Sequence, residues 1–195
     1  MTSSFKPDDY DAIFSKSDNY NCAVEKSSFF PVWNGALTIL LNCSIKKVLD
    51  LGCGTGQFGS LCEQAGIDFT GVDFSPVAIA KAKQKIKKGR VIQYDIKSFL
   101  KDYPDKYDCY VLLEVLEHLV DDLSVFGLMP SGSTIMFSVP NYLSEGHIRC
   151  FQSPQEIREY YGSVINVFAI TTIKLFQSNG TDYGNKIYIV FGEVK

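Results

Sequence analysis

Three ionisable residues crowd the run Leu113-Glu114-Val115-Leu116-Glu117-His118-Leu119. Continued as a helix, this segment places Glu114, Glu117 and His118 at i, i+3 and i+4, all on one face. Only two histidines occur in the chain. The second, His147, lies in Asn141-Tyr142-Leu143-Ser144-Glu145-Gly146-His147-Ile148-Arg149. Two carboxylates with one or two imidazoles can hold a hard or borderline divalent cation. Without a cation, His118 or His147 can take the proton of a hydroxyl near neutral pH. A third reading gives Glu117 and His118 no chemistry and makes them a pair that shapes the start of a helix beside a cleft.

A second set of residues suits cofactor binding. In Val48-Leu49-Asp50-Leu51-Gly52-Cys53-Gly54-Thr55-Gly56-Gln57-Phe58-Gly59 an apolar strand ends in an acid and a glycine-rich turn opens a helix. Glycines permit the turn and let a ligand approach the backbone. Gly54, Gly56 and Gly59 also satisfy the dinucleotide spacing, but that motif seats a pyrophosphate on the helix N-terminus. Asp50 would add negative charge beside such phosphates. It suits a ligand with an ammonium group and no phosphate, such as S-adenosylmethionine (SAM). Asp73, in Gly71-Val72-Asp73-Phe74-Ser75-Pro76, can accept from both ribose hydroxyls, a contact NAD would need equally. Asp95 can accept from an adenine amino group while the Ile96 amide meets a ring nitrogen, and Phe74 can lie against the adenine face.

These acids need strand ends to carry them. Lys47–Leu51, Asp68–Val72, Arg90–Gln93, Asp108–Leu113 and Thr134–Val139 read as strands. Gln57–Ala65, Pro76–Lys87 and Val115–Phe126 read as the helices between them. Alternating strand and helix predicts a parallel sheet covered on both faces. Asn166–Lys174 and Lys186–Phe191 follow with no helix between, which predicts an antiparallel hairpin at one edge. Ser27–Leu41, containing Trp33, reads as an amphipathic helix that either covers the cleft or packs only for stability.

With 195 residues the chain fits one domain, residues 1–195, with an N-terminal cap over 1–44 and a core over 45–195. A net charge of −3 gives no bulk field for a polyanion, so nucleic acid is not an expected partner. The basic run from Lys81 to Arg90 reads as a solvated helix face. The six cysteines show no CxxC pair and read as reduced, mostly buried thiols. The polar N-terminus and the short apolar runs argue against a signal peptide and membrane insertion, and for the cytoplasm.

Three acids after three consecutive strands resemble the motif series of class I SAM-dependent methyltransferases, over roughly Lys47 to Pro140. The resemblance implies a Rossmann-like, seven-stranded, mostly parallel sheet with one antiparallel edge strand. It also implies cofactor contacts from Asp50, Gly52, Gly54, Gly56, Asp73, Phe74, Asp95 and Ile96, with Cys53 as a small residue of the same loop and Glu114 near the methionyl part. The Glu-x-x-Glu-His run is similar to that of ubiquinone-pathway O-methyltransferases and of small-RNA 3′-end 2′-O-methyltransferases, which add a downstream histidine. On that resemblance Glu114, Glu117, His118 and His147 would hold one Mg²⁺ or Mn²⁺. The segments around Trp33 and from Val139 to Phe151 resemble small bacterial and viral methyltransferases linked to surface glycans. That implies a sugar or nucleotide-sugar acceptor, with Phe30, Trp33, Tyr142 and Phe151 as stacking faces and Arg149 on a phosphate or carboxylate. A catechol-like or quinone-precursor acceptor is the alternative, and a non-catalytic SAM-binding module a further one.

Overall fold

The computed structural model describes residues 7–103, 106–176 and 182–195. Seven strands form one sheet: β1 (Lys47–Leu51), β2 (Asp68–Asp73), β3 (Arg90–Gln93), β4 (Cys109–Leu112), β5 (Thr134–Pro140), β6 (Ile165–Phe176) and β7 (Asp182–Val194). Their order is β3-β2-β1-β4-β5-β7-β6. The first five are mutually parallel, and β7 runs antiparallel to both β5 and β6. The expected hairpin forms this edge, with its returning strand β7 on the inside and β6 outermost.

Alternation along the strands builds two cores. Val48, Val111, Met136 and Ile189 point to one face, and Leu49, Leu112, Phe137 and Val190 to the other. The first core is closed by α3 (Phe30–Asn42), α4 (Gln57–Gln64) and α5 (Pro76–Lys85), the second by α6 (Ile96–Asp102), α7 (Leu123–Phe126) and α8 (Pro154–Tyr161). Two further helices, α1 (Pro7–Lys16) and α2 (Asp18–Asn21), precede them. Each fully buried Leu, Val or Phe contributes about 1.5–3 kcal/mol. The two layers thus fix the sheet from both sides and hold its strand ends in place. Helix α5 starts where its sequence says it should: Pro76 occupies the first turn and Ser75 Oγ accepts from the Ala78 amide at 3.0 Å.

The continuous helix expected over Val115–Phe126 does not form. Glu114 has φ +57°, a 3₁₀ turn covers Leu116–His118, and only Leu123–Phe126 is α-helical. Tertiary partners take the groups a helix would have used. The Glu114 amide donates to Ser138 Oγ at 2.7 Å, and that hydroxyl donates back to the Glu114 carboxylate at 2.6 Å. Arg149 donates to the carbonyls of Leu116, Leu119 and Val120, the last two at 2.6 and 3.2 Å. Its guanidinium also pairs with the buried Asp122 carboxylate at 3.1 Å, so it meets a carboxylate of its own chain.

The sheet order reverses between β1 and β4, the neighbours from which the chain departs to opposite faces. In open α/β sheets ligands bind beyond the carboxyl ends of the strands at such a point.

Candidate functional site

The glycine loop leaves β1 under tight steric control. Gly52 has φ +86°, and a Cβ there would come within 2.5 Å of Val115 Cγ2. Gly56, at φ +79°, would drive a Cβ to 2.9 Å from the Ala82 backbone. These close approaches let the loop lie flat between β1 and α5. Cys53 is buried, with burial pushing its thiol well up, so it acts as a small filling residue. Asp73 accepts from the Gly54 and Ser75 amides, both at 2.9 Å, and thereby ties the first loop to the second. Asp95 caps α6, accepting from the Ser98 amide and hydroxyl through one oxygen. Ile96 opens that helix, where amides lack intrahelical partners. A cavity of about 440 Å³ runs past Asp73, Phe74, Asp95 and Ile96.

A second cavity, of about 200 Å³, adjoins it beyond Gly52 and Glu114. His118 and His147 line it with ring centroids 4.8 Å apart. His118 Nδ1 lies 3.0 Å from the Gly146 carbonyl, and His147 Nδ1 lies 3.2 Å from the Tyr142 carbonyl. A carbonyl only accepts, so each neutral ring carries its proton on Nδ1 and keeps the Nε2 lone pair. Burial lowers both imidazoles. His118, beside His147, falls to about 4. Glu117 is fully buried, and neither carboxylate oxygen has a hydrogen-bond partner. Ligand atoms of Glu117, His118 and His147 lie within 4.8 Å of one another. The 3₁₀ turn, rather than a helical face, brings them together, and the Ile148 amide locks the His147 loop to the Glu117 carbonyl at 2.8 Å. Glu114 stands apart from this trio because Ser138 holds its carboxylate.

The crevice is acidic. Burial, then Asp73, pushes Asp50 up to about 8. Burial raises Glu114 to about 7 against the Ser138 hydrogen bond, and Asp73 to about 6 against its two amide donors. Burial and Glu114 hold Glu117 well above the carboxylate range. Such a set favours a cationic ligand, whose charge would offset the desolvation of each carboxylate.

The roof is the N-terminal segment. The expected Ser27–Leu41 helix begins only at Phe30, and α3 packs mainly on α4, β6 and β7, although Trp33 reaches the smaller cavity. Tyr10 and Phe14 of α1 line both cavities. Tyr10 sets its ring edgewise to Phe74 and to His118, at 5.4 and 5.7 Å. The sequence carries a signal for α1: Pro7 at its start and Tyr10, Ile13, Phe14 at i, i+3, i+4. Gln57 donates to the carbonyls of Asn19 and Cys22, and Thr55 to that of Tyr20. Lys81 reaches the Phe14 carbonyl, and Lys85 the carbonyls of Tyr20 and Thr55. Part of the basic run thus fastens the roof instead of facing solvent. Of the aromatic residues expected to stack on an acceptor, Tyr142 lines the smaller cavity, whereas Phe151 packs in the second core. Of the cysteines, Cys53, Cys62 and Cys109 are buried and Cys43 is exposed. Among the described residues, no helix is long and apolar enough to cross a membrane.

A family model described as a methyltransferase domain matches residues 34–179. The ubiquinone biosynthesis O-methyltransferase of Pseudomonas fluorescens strain Pf0-1 is 33% identical over 110 residues, 52% of this chain and 47% of that protein. The chain spans about half the length of the curated relatives it matches. Magnesium protoporphyrin IX methyltransferase from Synechocystis PCC 6803, crystallised with SAM, superposes with a TM-score of 0.70 at 15% identity, covering 100% of both chains. The N-methyltransferase NodS of Bradyrhizobium japonicum WM9, with S-adenosyl-L-homocysteine, gives 0.71 at 15% identity over 96% of this chain and 97% of its own. At those identities the likeness speaks for the fold alone. With the family match spanning most of the sequence, and its strand-end acids in one crevice, the chain belongs to the methyltransferase-domain family, the class I SAM-dependent methyltransferases.

Proposed function

We propose that this chain transfers a methyl group from SAM to a hydroxyl of a small molecule, with a catechol-like or quinone-precursor ring as the favoured acceptor. The observation that carries this reading is the buried, unpartnered Glu117 carboxylate beside two neutral imidazoles at the far end of the cofactor cleft. The partial match to ubiquinone biosynthesis O-methyltransferases favours the catechol-like acceptor, and the comparisons lend no support to a sugar or nucleotide-sugar.

The crevice fits SAM by its charge and its strand-end acids. Asp73 would take the ribose hydroxyls, Asp95 and Ile96 the adenine edge, and Phe74 the adenine face. Gly52, Gly54 and Gly56 would let the cofactor lie against the loop, with Asp50 and Glu114 toward its ammonium group. The cofactor supplies a methyl group already activated on a sulfonium. The chain's share is alignment and exclusion of water, in which positioning is the larger effect. Tyr10 and Phe14 line both cavities, so the roof would lie over acceptor and cofactor alike.

Glu117, His118 and His147 fit a divalent cation, because an orphaned buried carboxylate beside two lone pairs is a ligand set whose burial is otherwise unfavourable. Mg²⁺ or Mn²⁺ there would supply positive charge beside the acceptor oxygens. Glu114, engaged by Ser138, would belong to the cofactor side. A second reading needs no cation: the Nε2 of His118 or His147 takes the hydroxyl proton directly, as a neutral imidazole can near pH 7.

Transfer from labelled SAM to catechol, followed with Mn²⁺ or Mg²⁺ and again with EDTA, tests these readings. Loss of transfer in EDTA, and in His118→Ala with SAM affinity retained, supports the cation reading. Transfer that persists in EDTA favours the histidine base. SAM binding with no transfer to catechols or sugars would leave a non-catalytic SAM-binding module.

A further inference from the structure

We infer that the smaller cavity selects its acceptor by charge, taking an uncharged ring and rejecting one that bears a phosphate or carboxylate. This rests on the hydroxyl-methylation reading above and narrows its substrate class. The cavity has an acidic floor, Asp50 and Glu114, and a further carboxylate, Glu145, at its exposed mouth. Its walls are aromatic: Tyr20, Phe29, Trp33 and Tyr142. Ring faces carry negative potential and add nothing that would hold an anion. Among the described residues lining either cavity there is no lysine and no arginine.

Nearby cations are turned elsewhere. Lys81 is bound to the Phe14 carbonyl and Asn21, and Lys85 to Tyr20 and Thr55. Arg149 is ion-paired with Asp122 and bound to three carbonyls. In the glycine loop the amides of Gly52, Cys53, Gly54 and Gly56 are already bonded to Val72, Asp73 and Cys53. With S-adenosylhomocysteine bound and no metal present, the one positive group, the cofactor's ammonium, would meet Asp50 and Glu114, leaving none for an acceptor's anionic substituent. At about 200 Å³ the space takes a single ring. The same logic disfavours a nucleotide-sugar and leaves an uncharged vicinal diol or catechol.

The magnitude follows from Coulomb's law. One unit-charge pair about 8 Å apart, at an effective dielectric of about 20, is repulsive by a factor of about 30 in binding. The test uses the full chain, metal-free in EDTA and loaded with S-adenosylhomocysteine, and two matched pairs of compounds, titrated calorimetrically at pH 7.5. The pairs are catechol with 3,4-dihydroxybenzoate, and methyl glucoside with glucose 6-phosphate. Expected is binding of the uncharged catechol about 30-fold tighter than its carboxylate partner, with the phosphate the weaker member of the sugar pair. Glu145→Lys, at the mouth, is expected to narrow the catechol ratio at least about threefold. An anionic member that binds within about twofold of its uncharged partner overturns the inference. So does failure of both uncharged compounds to bind at millimolar concentration. Parallel assays with labelled SAM separate the two readings. Charge-selective binding with no methyl transfer supports the charge rule and defeats hydroxyl methylation. Equal transfer to catechol and to its carboxylate keeps methylation and defeats the charge rule.

Discussion

Glu117 lies fully buried with both oxygens unpartnered, and an isolated ionised carboxylate in that position costs several kcal/mol. In metal-free protein the group therefore keeps its proton well above the usual range. Glu117→Gln is expected to raise the metal-free stability at pH 8 by on the order of 1–3 kcal/mol, about 2–4 °C in Tm per kcal/mol for a chain of this size. Mn²⁺ should raise the Tm of the wild type and leave the variant nearly unmoved. Thermal unfolding with EDTA and with Mn²⁺ checks both, and a variant less stable than wild type in EDTA would count against the unpaired burial. The residue types at this site were legible in the sequence, since Glu117, His118 and His147 stood out by chemistry alone. Their geometry was not. The same three residues meet through a 3₁₀ turn and a loop, and Glu114 leaves the group because Ser138, 24 positions away, claims it.

At the scale of elements, the segment after β4 depends on Arg149. Replacing it by methionine leaves the Asp122 carboxylate without its ion pair and the carbonyls of Leu116, Leu119 and Val120 without their donor. Breaking one side of a buried pair costs about 3–5 kcal/mol. Urea unfolding of Arg149→Met should show a loss of that order. Its transfer activity should fall as well, because the same turn carries Glu117 and His118. The roof is a separate element with its own fastening. Lys85→Met removes donors to the Tyr20 and Thr55 carbonyls, which should cost about 1–3 kcal/mol and speed SAM release several-fold in stopped-flow. An unchanged release rate would show that this fastening of the N-terminal segment at Tyr20 does not retain the cofactor. Periodicity could not foresee the broken helix, since Val115–Phe126 has an acceptable helical pattern and only long-range donors and acceptors defeat it.

For the whole molecule, the crevice makes stability depend on pH. Asp50, Glu114 and Asp73 have folded-state values raised to about 8, 7 and 6. A raised carboxyl favours the fold while protonated, and that contribution is lost as pH rises from the unfolded value through the folded one. His118 and His147 are depressed and act in the opposite sense, losing stability as pH falls below their unfolded value of about 6.5. Between pH 6.5 and 8 the carboxyls dominate the slope, and the two histidines, half protonated in the unfolded chain at pH 6.5, oppose it only at the lower end of the window. Metal-free, cofactor-free protein should lose on the order of 2 kcal/mol across that window. SAM, bringing an ammonium and a sulfonium, should raise Tm more at pH 8 than at pH 6.5. Differential scanning fluorimetry at the two pH values reads both slopes, and a flat profile would mean that the acids are solvated.

The sequence by itself determined the layering and which residue types stand where chemistry could be done. Strand alternation, the glycine turn and an acid after each of the first three strands follow from local patterns of period two and from residues with few conformational options. These sufficed for the parallel sheet, the edge hairpin and the acids that line the crevice. Only the tertiary structure decided how the far end of the cleft is assembled. It set β7 inside β6, brought α1 over the cleft beside Phe29 and Trp33, and turned two lysines of a basic run inward. It also replaced a helical face by a turn pinned from Ser138 and Arg149. Each of these outcomes depends on hydrogen bonds and packing between residues distant in the chain, where a buried donor or acceptor is satisfied by whichever element the fold brings beside it.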